Sequence, residues 1–228
     1  VNKTKSDKFI FIGSGATLSS EYRYIDANKP EDAFKVFQPR MKEVLYDVDH
    51  ANDKFYIRTN LQAKNFKLMT CAETKTDSSA WTELIAHNDK ILIQGFDLFK
   101  SYMAISERKD GLTQIHILNT KDNSSHYLKF DEAAYAANIA YIPDYNTDVM
   151  RYNYTSLTTP NSVYDYNMTT KEKKLMKQQE VIGSFKPADY ETERVMATAK
   201  DGTKIPISIV YKKGFKKDGN APLMLYGY

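Results

Sequence analysis

Tyr102-Met103-Ala104-Ile105 is a strand-forming run that leads through Glu107-Arg108-Lys109-Asp110-Gly111-Leu112 into a second run, Thr113 to Ile117. An Asp-Gly pair between two such runs marks a β-hairpin whose turn needs positive φ. The pattern recurs on either side of it. Phe9-Ile10-Phe11-Ile12, Phe55-Tyr56-Ile57-Arg58 and Val149-Met150-Arg151-Tyr152 join Tyr102 to Ile105 in a series whose starts lie 46, 47 and 47 residues apart. A second series follows after a polar turn: Tyr22 to Ile25, Phe66 to Met69, Thr113 to Ile117 and Val163 to Tyr166. Phe34 to Phe37, Trp81 to Ile85, His126 to Phe130 and Lys173 to Met176 form a third. Val44 to Val48, Ile91 to Gln94 and Ile139 to Ile142 precede the first series as a fourth.

Four short strands in a repeat of this length are the signature of a propeller blade. One small twisted sheet cannot bury both faces, and stacking blades around an axis buries face on face. The first repeat reads as lacking its innermost strand, which leaves three blades and most of a fourth. A complete small ring and a segment of a larger ring both fit that count. The ragged start and the change of pattern after the fourth repeat favour the segment.

The period breaks at residue 181. Val181-Ile182-Gly183-Ser184-Phe185-Lys186-Pro187 reads as a connector punctuated by Gly and Pro. A longer hairpin follows, Glu193 to Ala199 and Lys204 to Tyr211, around Lys200-Asp201-Gly202-Thr203. Pro206 demotes the second run to an edge strand. Leu223 to Leu225 is a continuous apolar run, as expected of a strand buried on both faces. The expected class is all-β within this chain: a partial β-propeller over residues 1–180, then the first strands of an α/β domain over 181–228.

Composition limits the alternatives. Of 228 residues 42% are hydrophobic and 27% charged, so a packed core is expected rather than disorder. The formal net charge of +3, with no basic stripe, argues against a nucleic-acid partner. No apolar run approaches the roughly 18 residues of a membrane-spanning helix. The single cysteine, Cys71, permits no internal disulfide and fits a reducing compartment; its expected role is a small apolar residue at a strand end. The chain opens at Val1 without a methionine, so a preceding segment is expected to be missing.

Little catalytic chemistry is visible. There is no Gly-x-Ser-x-Gly elbow, and Gly13-Ser14-Gly15 lacks its spacing. His50, His87, His116 and His126 are scattered singly, without the pairing of a metal site and without an adjacent carboxylate partner, and read as structural. The clusters Glu107 to Asp110 and Lys171 to Lys174 read as solvated turns. No cofactor and no metal are expected.

Several strings resemble one family. Tyr154-Thr155-Ser156-Leu157-Thr158-Thr159-Pro160, Arg58-Thr59-Asn60 with Asn65 to Met69, and Glu107 to Leu112 resemble the propeller of the oligopeptidase B (protease II) branch of the prolyl oligopeptidase family. Lys200 to Pro206 and Pro222-Leu223-Met224-Leu225-Tyr226-Gly227-Tyr228 resemble its entry into the hydrolase domain. The plain prolyl oligopeptidase branch shares this plan and is the nearest competitor. The resemblance implies a cytoplasmic serine oligopeptidase that cuts short basic peptides after Arg or Lys, with a seven-bladed propeller capping an α/β-hydrolase domain and restricting access. A periplasmic location stays open because the N-terminus is missing. The serine, aspartate and histidine of the triad lie beyond the equivalent of Tyr228, so the chain alone is expected to be inactive. Tyr228 itself matches the tyrosine whose hydroxyl helps stabilise the oxyanion. A cut ring is further expected to self-associate through exposed blade edges. A stand-alone, non-catalytic propeller acting as a binding module is the alternative.

Overall fold

The structure, a computed structural model, describes residues 1–227. Sixteen strands form four four-stranded antiparallel sheets in strict sequence order. The first blade holds β1 (Asn2–Lys3), β2 (Phe9–Ala16), β3 (Ser19–Asp26) and β4 (Lys35–Gln38). The second holds β5 (Tyr46–Ala51), β6 (Lys54–Thr59), β7 (Lys67–Ala72) and β8 (Thr82–Ile85). The third holds β9 (Ile91–Leu98), β10 (Tyr102–Lys109), β11 (Leu112–Asn119) and β12 (Ser125–Tyr127). The fourth holds β13 (Tyr135–Ile139), β14 (Val149–Ser156), β15 (Ser162–Asn167) and β16 (Lys173–Gln178). A separate hairpin, β17 (Tyr190–Thr198) and β18 (Lys204–Lys212), follows.

The repeat therefore stands, with local corrections. The first blade does have an innermost strand: β1 is two residues long and pairs Asn2 with Phe11 and Lys3 with Ile10. In the fourth blade the innermost strand begins at Tyr135, ahead of the apolar Ile139 to Ile142, because Ala136 and Ala137 are small residues that pair with Thr155 and Tyr154. Turn chemistry fixes the registers. Asp110 and Gly111 both have positive φ (50° and 80°), as a two-residue primed turn requires, and Lys109 pairs with Leu112 across it. Asn52 and Asp53 (φ 50° and 56°) close β5 onto β6 in the same way.

The core is three layers, one between each pair of neighbouring blades. Between the first and second lie Phe9, Phe11, Phe37, Tyr46, Phe55 and Trp81, with Phe37 and Phe55 edge-to-face at 5.0 Å. Between the second and third lie Leu68, Ile93, Leu98, Met103 and Ile105. Between the third and fourth, Ile115 and Ile117 meet Tyr152, Tyr154 and Tyr166. Each fully buried side chain of this size contributes about 1.5–3 kcal/mol by leaving water.

The tail departs from expectation. Leu223 is 84% exposed, Met224 and Leu225 are similarly open, and the segment is not in a strand. A strand buried on both faces needs two neighbours and two covering layers, and residues 1–227 supply none of them. Pro206 pairs with Met196 in β18, whose other edge carries no partner strand among the described residues, consistent with an edge strand that tolerates its missing N–H.

Candidate functional site

Strands alternate direction within each blade, so loops joining first to second strands gather at one end of the stack. There the β1–β2 loop crosses the inner edges of the other blades. Lys5 is buried, and its Nζ donates to Asp97 Oδ1 at 2.8 Å and to the Ile142 carbonyl of the fourth blade. The same ammonium lies 4.9 Å from the Phe99 ring centroid. Asp49 Oδ1 accepts from the backbone N–H of Lys5 at 2.8 Å and of His50 at 2.7 Å. Lys3, Lys5, Asp49, Phe96, Asp97 and Tyr141 line the resulting axial cleft of about 350 Å³. Burial pushes the Asp49 carboxyl up to about 6, against the pull of its two backbone donors. Burial also raises Asp97, against the pull of Lys5, and Asp97 Oδ2 is buried without a partner. The Lys5 ammonium on Asp97 Oδ1 neutralises this innermost-strand carboxylate at the cleft.

The histidines have partners that linear spacing did not reveal. His50, 1% exposed, places Nδ1 2.7 Å from Ser6 Oγ and Nε2 2.7 Å from Glu73 Oε1. His116 Nδ1 lies 3.0 Å from Glu107 Oε1, and its ring stacks on Tyr127 at 4.4 Å. His126 Nε2 meets the Tyr166 hydroxyl at 2.8 Å, and His87 Nε2 accepts from the Asn65 N–H at 3.1 Å. Glu107 is thus no member of a solvated turn: it is buried, and it also accepts from the Tyr127 hydroxyl at 2.9 Å. Strand alternation puts Glu107 and Arg108 on opposite faces, Glu107 inward and Arg108 toward water. Cys71 is buried in β7, and burial pushes its thiol up to about 12, so it carries no thiolate at neutral pH. Among the described residues no cluster of His, Cys, Asp or Glu has the makings of a metal site.

The string Tyr154 to Pro160 has a physical reason at the opposite end of the stack. The Glu132 carboxylate, on the connector into the fourth blade, accepts from the hydroxyls of Tyr154 (2.6 Å), Ser156 (2.5 Å), Thr158 (2.6 Å) and Thr159 (2.8 Å). Ser156 Oγ in turn accepts the Thr158 and Thr159 N–H groups at 3.0 and 2.7 Å. Burial acts to raise Glu132, but the four donors outweigh it and hold the carboxyl below its ordinary value. Sequence reasoning missed Glu132, which four of the five hydroxyl residues between Tyr154 and Thr159 share as acceptor, while Thr155 donates to the Thr159 carbonyl. At this end Arg194 of β17 donates to the Asp110 carbonyl, and Pro206 of β18 lies beside Gly111. Tyr228, the one site residue carried over from the resemblance, lies outside the described residues.

Four-stranded blades stacked in sequence order, with innermost strands converging on a cleft, define a β-propeller. Residues 1–179 match the family model described as the prolyl oligopeptidase N-terminal β-propeller domain, and the chain belongs to the prolyl oligopeptidase family. It is 40% identical to dipeptidyl aminopeptidase BI of Pseudoxanthomonas mexicana, over all of this chain and 31% of that protein. It is 32% identical to protease 2 of Moraxella lacunata, over all of this chain and 32% of that protein. Among solved structures it superposes on oligopeptidase B from Trypanosoma brucei, in a closed form with covalently bound antipain. That match has a TM-score of 0.86 and 30% identity, and covers 95% of this chain and 32% of that one. The chain spans about a third of the length of the curated relatives it matches.

Proposed function

We propose that this chain is part of a serine oligopeptidase that cleaves short peptides after Arg or Lys. Its blades, residues 1–180, would form part of the cap restricting entry, and residues 181–228 would begin the hydrolase domain. The reading rests on similarity along the full chain to protease 2 and to oligopeptidase B. The triad would come from sequence outside this chain, so the chain alone should not hydrolyse peptides. Its partners would be short basic peptides, its compartment the cytoplasm, and the isolated segment would self-associate through blade edges.

The test is the whole protein assayed on matched peptides carrying Arg, Lys or Pro at the cleavage position, with a serine-directed inhibitor as control. Inhibitor-sensitive cleavage after Arg and Lys supports the reading, and cleavage after Pro overturns the specificity. A second reading, stepwise release of dipeptides from free N-termini, is favoured by the relative that is 40% identical. N-terminal acetylation of the substrates separates the two, since it would abolish only dipeptide release. In the whole protein Tyr228→Phe should lower kcat about 10²–10³-fold with little change in KM, the expected cost of losing one oxyanion donor.

A further inference from the structure

Repeats stacked in sequence order touch their neighbours, and a disturbance in one reaches another only through those between. Hydrogen bonds along most of this stack follow that rule. The Tyr22 N–H donates to Tyr46 Oη across the first and second blades at 2.9 Å. Arg58 Nε donates to the Ile93 carbonyl across the second and third at 2.8 Å, and the Ala137 N–H to Thr113 Oγ1 across the third and fourth at 2.9 Å. Three bonds break the rule, all at the end where the loops joining first to second strands gather. Lys5, in the β1–β2 loop of the first blade, donates from Nζ to Asp97 Oδ1 of the third at 2.8 Å and to the Ile142 carbonyl of the fourth. Tyr145, in the β13–β14 loop of the fourth blade, donates its hydroxyl to Asn52 Oδ1 in the β5–β6 turn of the second at 2.7 Å.

We propose that Lys5 and Tyr145 form a strap that couples blades which are not neighbours, so that the innermost strand of the fourth blade owes part of its order directly to the first and second. Lys5 suits the place. Its side chain is 3% exposed, with a long apolar stem that crosses the inner edge, and its ammonium has several donors to distribute. The faces of Phe99, from the third blade, and Tyr141, from the fourth, lie 4.9 and 5.4 Å from Nζ and favour the same cation. The Lys5 N–H meanwhile stays on Asp49 of the second blade at 2.8 Å. One residue of the first blade is thereby bonded to each of the other three. The Ile142 carbonyl lies three residues past the end of β13, so the strap ends beside the strand it steadies. Tyr145 makes the second crossing from the same loop, and its own carbonyl accepts the Lys100 N–H of the third blade at 3.0 Å.

The experiment is hydrogen exchange of the whole protein, read by mass spectrometry in β13 (Tyr135–Ile139) of the fourth blade and in β7 (Lys67–Ala72) of the second, which the strap does not touch. The first variant carries Lys5→Met and Asp97→Asn together. It removes both charges, so no carboxylate is left buried and unpaired, and it keeps the Lys5 N–H on Asp49. Exchange in β13 should rise about tenfold while β7 changes less than about twofold. An unchanged β13 overturns the strap. So does an equal rise in β7 and β13, which would make Lys5 a support of the whole fold rather than a link between distant blades. Because that variant alters the buried inner edge, Tyr145→Phe is the second. It loses a single hydroxyl whose bond lies in an exposed position, and should speed β13 about threefold with β7 unchanged. Wild-type protection of β13 in Tyr145→Phe removes the crossing from the fourth blade to the second and overturns the strap as proposed.

Discussion

Two hairpins in this chain are closed by Asp-Gly and meet opposite surroundings. Asp110-Gly111 joins β10 to β11, where Ile105, Ile115 and Ile117 are wholly buried against neighbouring blades. Asp201-Gly202 lies between β17 and β18, a two-stranded sheet on which Val195, Met196, Ile205 and Val210 stay exposed. The local rule holds in both, since Gly111 and Gly202 have φ of 80° and 86°. A turn signal therefore specifies chain reversal and says nothing about burial. Burial comes from a neighbour, and each blade has one because the next repeat brings it.

The largest test of this contrast is a pair of aromatic truncations. Phe55, 0% exposed, packs against Phe9, Phe37 and His50, and Phe55→Ala should cost about 3–5 kcal/mol. Phe215 is 44% exposed beside Tyr211, and Phe215→Ala should cost under about 1 kcal/mol. Urea midpoints of the two variants check this, and equal losses would mean that the tail hairpin unfolds as one unit with the blades.

A smaller effect concerns what holds a blade together at its polar end. Glu132→Gln keeps the shape of the side chain but weakens four charge-assisted bonds, and should cost about 1–3 kcal/mol. The pH sign follows from the lowered carboxyl. Its contribution is complete above the unfolded value of 4.5 and is lost as the pH falls through the folded value. Acid titration of stability should thus fall less steeply in Glu132→Gln than in wild type. Parallel curves would remove Glu132 from the account.

These cases also mark what the sequence could disclose. Period, strand order and turn residues are local quantities, and the repeat was legible because Phe9, Phe55, Tyr102 and Val149 recur at nearly constant spacing. The two-residue β1 was not, because Asn2 and Lys3 carry no strand preference and pair only through the register of Phe11 and Ile10. The polar partners were hidden for a different reason. His50 finds Glu73 just past β7 and Ser6 in another blade, and Glu132 finds its donors across a connector, so no linear spacing records either cluster. Leu223 to Leu225 shows the converse error: an apolar run states a need for burial, and here the described residues do not meet it.

The smallest effect returns to the two glycines and isolates the surroundings from the turn. Alanine at either position must adopt positive φ, at about 1 kcal/mol. At Gly202 that is the whole penalty, because a Cβ there meets nothing within 4 Å. At Gly111 the new methyl would also lie 3.1 Å from Pro206 and 3.0 Å from Arg194, so the blade and the tail hairpin must separate by a few tenths of an ångström. Gly111→Ala should therefore lower global stability by about 1–2 kcal/mol. Gly202→Ala should leave the urea midpoint of the blades almost unchanged while loosening the hairpin locally. Limited proteolysis at Lys200 and Lys204 reads the second effect directly. The informative outcome is the pattern across both: Gly111→Ala should also speed cleavage at Lys200 and Lys204, because the third-blade turn and the hairpin touch. Unchanged cleavage would mean that the hairpin's order owes nothing to the blade beside it.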